Sequence, residues 1–253
     1  MAELKTRQSQ QWGCTRLDFA VPGGKGFVIL PGRPSTGSGQ GCPWIWYAPT
    51  FVGGTPLPKD LHEWFMGRWL SAGIAIGGVD VGESWGSPAG RAAFSEFHKA
   101  AVRQFALDAK ACLFGQSRGG LMHYNWAVEH PELVRCVGAI YPVCNVTQPE
   151  RVELIAKAYG LTADELLAGG AEHNPVDRLA PLAAAGVPVL HVHGDGDAVV
   201  PVDQHSQALV DRYRALGGPA ELVVIPGKGH EEVVEYFQCE RFGQFMQSHA
   251  LGA

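Results

Sequence analysis

From residue 58 onward the chain alternates between helix-length stretches and short apolar runs, and this alternation limits the fold more than any other feature. Helical spacing covers 58–71, 88–105 and 121–130, and each of these stretches precedes a strand-like run, at 74–81, 111–114 and 134–141. Later an apolar run at 187–193, an amphipathic stretch at 203–216 and an alternating run at 220–225 are followed by a closing helix at 232–249. Each such crossover returns the chain in the same direction, which predicts an α/β fold with a mostly parallel sheet and helices on both faces. Three earlier runs, at 15–21, 26–30 and 44–48, have no helix between them and predict an antiparallel edge. The total is about eight strands. Between 145 and 186 the strand signal stops and helical segments at 149–159, 162–167 and 175–185 replace it. Thr162 with Glu165 three residues later has capping-box spacing. This insertion lies between two strands and is expected to overhang their C-terminal ends as a small helical lid.

The 253 residues suit one large α/β domain, and nothing divides them. The stretch richest in Gly, Pro and Ser, 32–41, lies between two short strand-like runs and reads as a surface loop. A net charge of −5 with mixed signs and no Lys/Arg block argues against a nucleic-acid partner. No apolar run is long enough to span a bilayer, so no membrane partner is expected. The first residues lack the apolar core of a signal peptide, which makes the cytoplasm the expected location. The six cysteines include no CxxC pair and read as buried free thiols. Oligomeric state is left open.

Gly115-Gln116-Ser117-Arg118-Gly119-Gly120 joins the run at 111–114 to the helical stretch from Leu121. Small residues around a serine at a sharp strand-to-helix turn let the backbone strain and leave the hydroxyl exposed, which is the form of a nucleophile elbow. Gly82-Glu83-Ser84-Trp85-Gly86 repeats the pattern, but Ser87-Pro88 follows, and no helix N-terminus lies directly behind Ser84 to stabilise an oxyanion. Ser117 is therefore the expected nucleophile. It needs a base, and the base needs a carboxylate. After the run at 187–193 comes an acidic turn with Asp195 and Asp197. The run at 220–225 ends in Pro226-Gly227-Lys228-Gly229-His230. Three loops, each following a strand, can thus converge at one sheet edge.

With these residues in view, the chain resembles an α/β-hydrolase of the dienelactone hydrolase and prolyl-oligopeptidase-like esterase branch. The HGxxDxxVP pattern matches His193-Gly194-Asp195-Gly196-Asp197-Ala198-Val199-Val200-Pro201, and GxGH matches Gly227-Lys228-Gly229-His230. The resemblance implies Ser117 as nucleophile, Asp197 rather than Asp195 as orienting acid, and His230 as base. It also implies an oxyanion hole made by the Arg118 N–H and a donor from the loop at 49–54, with Phe51 first and Thr50 second. The Arg118 guanidinium is similar to that of the glucuronoyl esterase elbow, although the rest of that pattern is missing. Trp85 and Glu83, with His62 and Trp64, are expected at the mouth as substrate contacts, and an aromatic mouth suits a carbohydrate or aryl ester. Trp46, Trp69 and Trp126 read as core.

His191-Val192-His193-Gly194-Asp195 imitates part of a metal-binding HxHxD motif, yet Gly196 stands where another histidine is required, so no metal site is expected. The expected function is hydrolysis of a carboxylic ester through an acyl-enzyme, without a cofactor and with a small-molecule or saccharide ester as partner. A peptidase or amidase is the first alternative; 253 residues leave no space for the propeller that filters peptides in that family. A non-catalytic binding protein on the same fold is the second.

Overall fold

A computed structural model describes residues 4–35, 41–52, 55–147 and 151–252. Residues 36–40 of the expected surface loop, Gly53 and Gly54 of the expected oxyanion loop and the first residues of the expected helix at 149–159 lie outside them. The strands are β1 (Thr6–Gln11), β2 (Cys14–Val21), β3 (Gly24–Leu30), β4 (Trp44–Ala48), β5 (Phe51–Val52), β6 (Thr55–Pro56), β7 (Ala75–Asp80), β8 (Ala111–Gln116), β9 (Val134–Ile140), β10 (Val189–Gly194) and β11 (Ala220–Ile225). The helices are α1 (Glu63–Ser71), α2 (Pro88–Phe105), α3 (Gly119–Ala127), α4 (Val152–Tyr159), α5 (Ala163–Ala168), α6 (Gly170–His173), α7 (Ala180–Ala184), α8 (Ala208–Ala215), α9 (Val234–Phe237) and α10 (Glu240–Leu251).

Nine strands form one sheet in the order β1-β2-β3-β7-β4-β8-β9-β10-β11, and β5 with β6 forms a separate two-stranded ribbon. From β7 to β11 every pairing is parallel, while β1 to β3 and the β3–β7 pairing are antiparallel. Two details differ from the sequence reading. β4 is not part of the antiparallel edge, because it inserts between β7 and β8 and pairs parallel with both. The sheet also has nine strands rather than eight. The additional strand, β1, reads Thr-Arg-Gln-Ser-Gln-Gln and is almost wholly exposed, so it carries no apolar alternation.

The period of two along the strands divides the core into two layers. Trp44 and Trp46 face α2 and α3 and meet Phe94, Phe97 and Trp126. Ile45 and Tyr47 face the opposite side, where Phe65 and Trp69 of α1 and Phe242 and Met246 of α10 cover the sheet. The helices begin where the sequence supplies caps. The Ser87 hydroxyl accepts the Gly90 N–H ahead of α2, and Thr162 and Glu165 form a reciprocal capping box on α5. The segment from α4 to α7 packs as a third cluster, in which Ile155 and Leu166 meet Trp85, Leu121 and Val143. It therefore rests on the start of α3, next to the C-terminal end of the sheet.

Trp46 lies at the centre of the first layer, with ring centroids 4.9 Å from Phe94 and 4.9 Å from Trp126, and its indole N–H has no partner among the described residues. Trp46→Ala should destabilise the protein by about 3–5 kcal/mol in urea unfolding. Trp46→Phe keeps most of the ring and removes the unpaired N–H, so it should lose less than about 1.5 kcal/mol. Equal losses for the two variants would contradict this account of the layer.

Candidate active site

β8 runs into Ser117, whose φ of 51° lies in the left-handed region. A non-glycine residue there costs about 1–2 kcal/mol, so its surroundings must hold it. The Ser117 N–H donates to Ile140 O at 3.1 Å, and the Ser117 carbonyl accepts the Gly120 N–H at 3.0 Å and the Val143 N–H at 2.8 Å. Glycine is required at the next positions by contact. A Cβ at Gly119 would collide with the Ala48 carbonyl, and one at Gly120 would press on Pro142 and the Val143 carbonyl. These approaches seat the N-terminus of α3 directly behind the serine. Ser84 has no comparable setting: it is buried against Gly90, and its hydroxyl has no partner among the described residues.

The Ser117 hydroxyl donates to His230 Nε2 at 2.9 Å, and His230 Nδ1–H donates to Asp197 Oδ2 at 2.8 Å. Asp197 Oδ1 accepts the Val199 and Val200 N–H groups at 2.9 and 2.8 Å, while His193 Nε2 lies 3.2 Å from Oδ2. Burial alone would push the Asp197 carboxyl up. Hydrogen bonds from His193, His230 and the Val200 N–H outweigh it and hold the group well below the usual carboxylate range. Asp195 serves elsewhere, its Oδ1 accepting the Gly227 N–H at 2.6 Å. That bond, with the Gly196 N–H donating to Lys228 O at 3.0 Å, joins the acidic turn to the histidine loop. The geometry is the one a serine needs: a base within reach of its proton, and a fixed carboxylate behind the base.

A cavity of about 210 Å³ opens beside Ser117, lined by Pro49, Gln116, Arg118, Tyr141, His230 and Glu232. Thr50 and Phe51, expected near the oxyanion, follow Pro49 directly; the Arg118 N–H has no acceptor among the described residues. The Arg118 guanidinium donates to the Phe51 carbonyl and pairs with Glu83 at 2.8 Å, so it ties two loops together at the rim. Glu83 therefore spends its carboxylate on Arg118.

The remaining mouth residues are placed differently by the structure. His62 is wholly buried beneath the site, with Nε2 3.0 Å from both the Tyr47 hydroxyl and Gln116 Oε1. Trp64 lines a separate groove of about 320 Å³ between α1 and α10, where the Arg68 guanidinium lies over its ring. Trp85 is 3% exposed and packs beneath the helical segment, its carbonyl accepting the Tyr159 hydroxyl at 3.1 Å. All three follow a strand in the chain, which is what suggests the mouth, but His62 and Trp85 pack inside the protein and Trp64 lies in the groove between α1 and α10. Conversely, Gln116, Tyr141 and Glu232 line the cavity and were not singled out. The Tyr141 ring centroid lies 4.5 Å from that of His230, and the Tyr141 hydroxyl accepts from Gln116 Nε2 at 2.9 Å. Glu232 pairs with Lys59. The position of Gln116 inside GxSxG was the available signal; nothing marked Tyr141 or Glu232. The two histidines of the partial metal motif do face one side, but both Nδ1 atoms converge on the Ser206 hydroxyl, at 3.0 and 2.7 Å. Among the described residues no group of three metal-ligating side chains converges.

The chain belongs to the prolyl oligopeptidase family, whose sequence model matches residues 90–248. It superposes on a puromycin hydrolase S511A mutant complexed with PGG with a TM-score of 0.69 and 16% identity, over 99% of this chain and 40% of that one. An S-formylglutathione hydrolase from Agrobacterium tumefaciens gives a TM-score of 0.69 and 14% identity, over 98% of this chain and 99% of that one. Est1E from Butyrivibrio proteoclasticus gives 0.66 and 17%, over 96% and 98% of the two chains. The chain thus spans about two fifths of the puromycin hydrolase. A comparison with curated proteins finds no match. The fold is an α/β-hydrolase fold, and the family is one of serine hydrolases of the prolyl oligopeptidase type.

Because the folded Asp197 carboxyl titrates below the unfolded value of about 3.9, the unfolded chain takes up this proton first as pH falls. Its contribution to stability is full above about pH 5 and is lost as the pH falls through the folded value. Asp197→Asn should lower Tm at pH 7 and flatten the decline of Tm between about pH 5 and 2.5. An unchanged slope in the variant would show that Asp197 is not the depressed group.

Proposed function

We propose that this protein hydrolyses a small carboxylic ester through an acyl-enzyme formed on Ser117. The observation that carries the reading is the unbroken line from the Ser117 hydroxyl to His230 Nε2 and from His230 Nδ1 to the buried Asp197 carboxylate. His230 takes the hydroxyl proton as Oγ bonds to the ester carbonyl carbon. The Arg118 N–H and an N–H of the Thr50-Phe51 turn hold the oxyanion. The carbonyl–alkoxy bond then breaks, and His230 returns its proton to the departing alcohol. Water repeats the sequence on the acyl group and frees the acid.

The cavity bears on the substrate. At about 210 Å³ it suits a short group, and Gln116, Arg118 and Glu232 place a few polar groups on a wall that is otherwise mostly apolar. Of the aromatic groups on which a sugar or aryl preference would rest, Trp85, Trp64 and His62 do not line the cavity, whereas Tyr141 does. S-formylglutathione hydrolase and Est1E match over nearly their whole length, which also favours an ester. Family membership keeps amide or peptide cleavage as a second reading.

A fluorophosphonate probe followed by peptide mass mapping should place the adduct on Ser117. Ser117→Ala should abolish labelling and lower kcat on short-chain esters by about 10³-fold or more; wild-type turnover in that variant would reject the assignment. Asp197→Asn should lose far more activity than Asp195→Asn, because only Asp197 meets His230. Short acyl esters should be cleaved with a higher kcat/KM than the matching amides or aminoacyl peptides, and the reverse order would establish the second reading.

A further inference from the structure

A second row of hydrogen bonds leaves Asp197 on the side away from His230. His191 and His193, two residues apart on β10, face the same side of the sheet, and both are fully buried. Each ring places Nδ1 against the Ser206 hydroxyl, and His191 Nε2 lies 2.6 Å from the Tyr124 hydroxyl. Ser206 reaches them from a π-helical turn, Asp203–Gln207, that turns both His205 and Ser206 inward.

The protons along this row follow from its end. The Val200 carbonyl, 2.8 Å from His193 Nε2, can only accept, so Nε2 carries a proton and shares it with Asp197 Oδ2 at 3.2 Å. A neutral His193 then accepts the Ser206 hydroxyl proton on Nδ1. Ser206 Oγ accepts His191 Nδ1–H, and His191 Nε2 accepts the Tyr124 O–H. Every proton has an acceptor, and the only charge in the row is the carboxylate at its end. The opposite order would bury a cation at His193 and leave the Tyr124 proton without an acceptor among the described residues. Burial also pushes His191 down to about 3, consistent with a neutral ring.

We propose that His193, held in one tautomer by Ser206, His191 and Tyr124, is a positioning residue that keeps Asp197 ionised and aimed at His230. The role rests on the serine-hydrolase reading above. In that reading Asp197 must remain an anion while His230 gains and loses a proton, and the row meets the carboxylate with an aligned set of neutral dipoles. Removing the His193 donor leaves Oδ2 with more of its charge free to attract a proton. The Asp197–His230 pair then binds its first proton more readily, which moves the acid limb of the pH–rate profile upward.

The test is the rate of fluorophosphonate labelling at Ser117 between about pH 5 and 9, which needs no substrate. Relative to wild type, His193→Leu should label about tenfold more slowly or worse, with the acid limb about 0.5–1 pH unit higher. His193→Gln, whose terminal amide can replace the Nε2 donor, should recover most of both. The other groups near the pair include Tyr141, Tyr236, His205, Glu232 and Arg118, with Asp195 and Glu231 beside Tyr236, and Arg118 keeps its charge in every variant. Burial keeps the two phenols and His205 neutral, and the three carboxylates are the same in every variant. A merely structural loss would lower Tm without moving the limb. If His193→Leu fails to fold, Ser206→Ala decides the matter: an upward shift supports the role, and a wild-type profile overturns it. A wild-type profile in folded His193→Leu also overturns it. Absence of Ser117 labelling in the wild-type protein itself would instead remove the serine-hydrolase reading.

Discussion

The contact on which the rest of the structure depends is the approach of α3 to the end of β4, where Gly119 meets the Ala48 carbonyl with no space for a side chain. That approach fixes where the helix begins, and so forces Ser117 into a left-handed turn at the tip of β8. The strain is offset by three backbone hydrogen bonds that use both the N–H and the carbonyl of the serine. Because those bonds reach Ile140 and Val143, the elbow is tied to β9 and to the chain beyond it. A substitution at Gly119 or Gly120 would therefore disturb three elements at once. Pro49 is brought beside Ser117 by the same contact, so the cavity wall and the serine share one cause.

The loops opposite the elbow obey a related constraint. A Cβ at Gly194 would collide with the Lys228 carbonyl and the Tyr236 hydroxyl, so the acidic turn and the histidine loop lie in direct contact. Asp195 and the Gly196 N–H use that contact to join the loops, and the Tyr236 hydroxyl donates to the Gly229 carbonyl at 2.8 Å from the far side. Asp197 and His230 meet because their backbones are held together on either side of them, rather than through the attraction between the two side chains alone.

Much of this was legible in the chain, for physical reasons that also explain what was not. The alternation after residue 58 exposed the parallel sheet because buried strands are apolar on both faces. β1 escaped because a polar strand on the open edge buries almost nothing. β4 was assigned to the wrong part of the sheet because local sequence states a strand's existence, whereas its neighbours depend on crossovers far along the chain. The convergence of Ser117, Asp197 and His230 could be read because each sits in a short glycine-bearing loop after a strand, and around Ser117 and Asp197 those glycines mark close backbone approach. The places of His62, Trp64 and Trp85 could not, since aromatic character does not distinguish a mouth from a core or a separate groove, and none of the three lines the cavity. Tyr141 carried no mark at all. It lies at the end of β9, and only folding sets its ring against His230.

The surroundings of Asp197 show why neutral donors suit this place better than a cation. Burial of a lone carboxylate opposes its charge by several kcal/mol. Here four N–H groups, two from the backbone and one from each of His193 and His230, meet its two oxygens. A hydrogen bond to a charged group contributes about 1.5–3 kcal/mol, so four together can offset the burial. An arginine in place of His193 would also hold the carboxylate ionised. Its fixed positive charge would, however, oppose the imidazolium that His230 becomes in the proposed mechanism when it removes the serine proton. Dipoles that carry no net charge stabilise the anion and leave its attraction for His230 available, which makes the row behind Asp197 compatible with a base that, in the proposed mechanism, gains and loses a proton twice in every turnover.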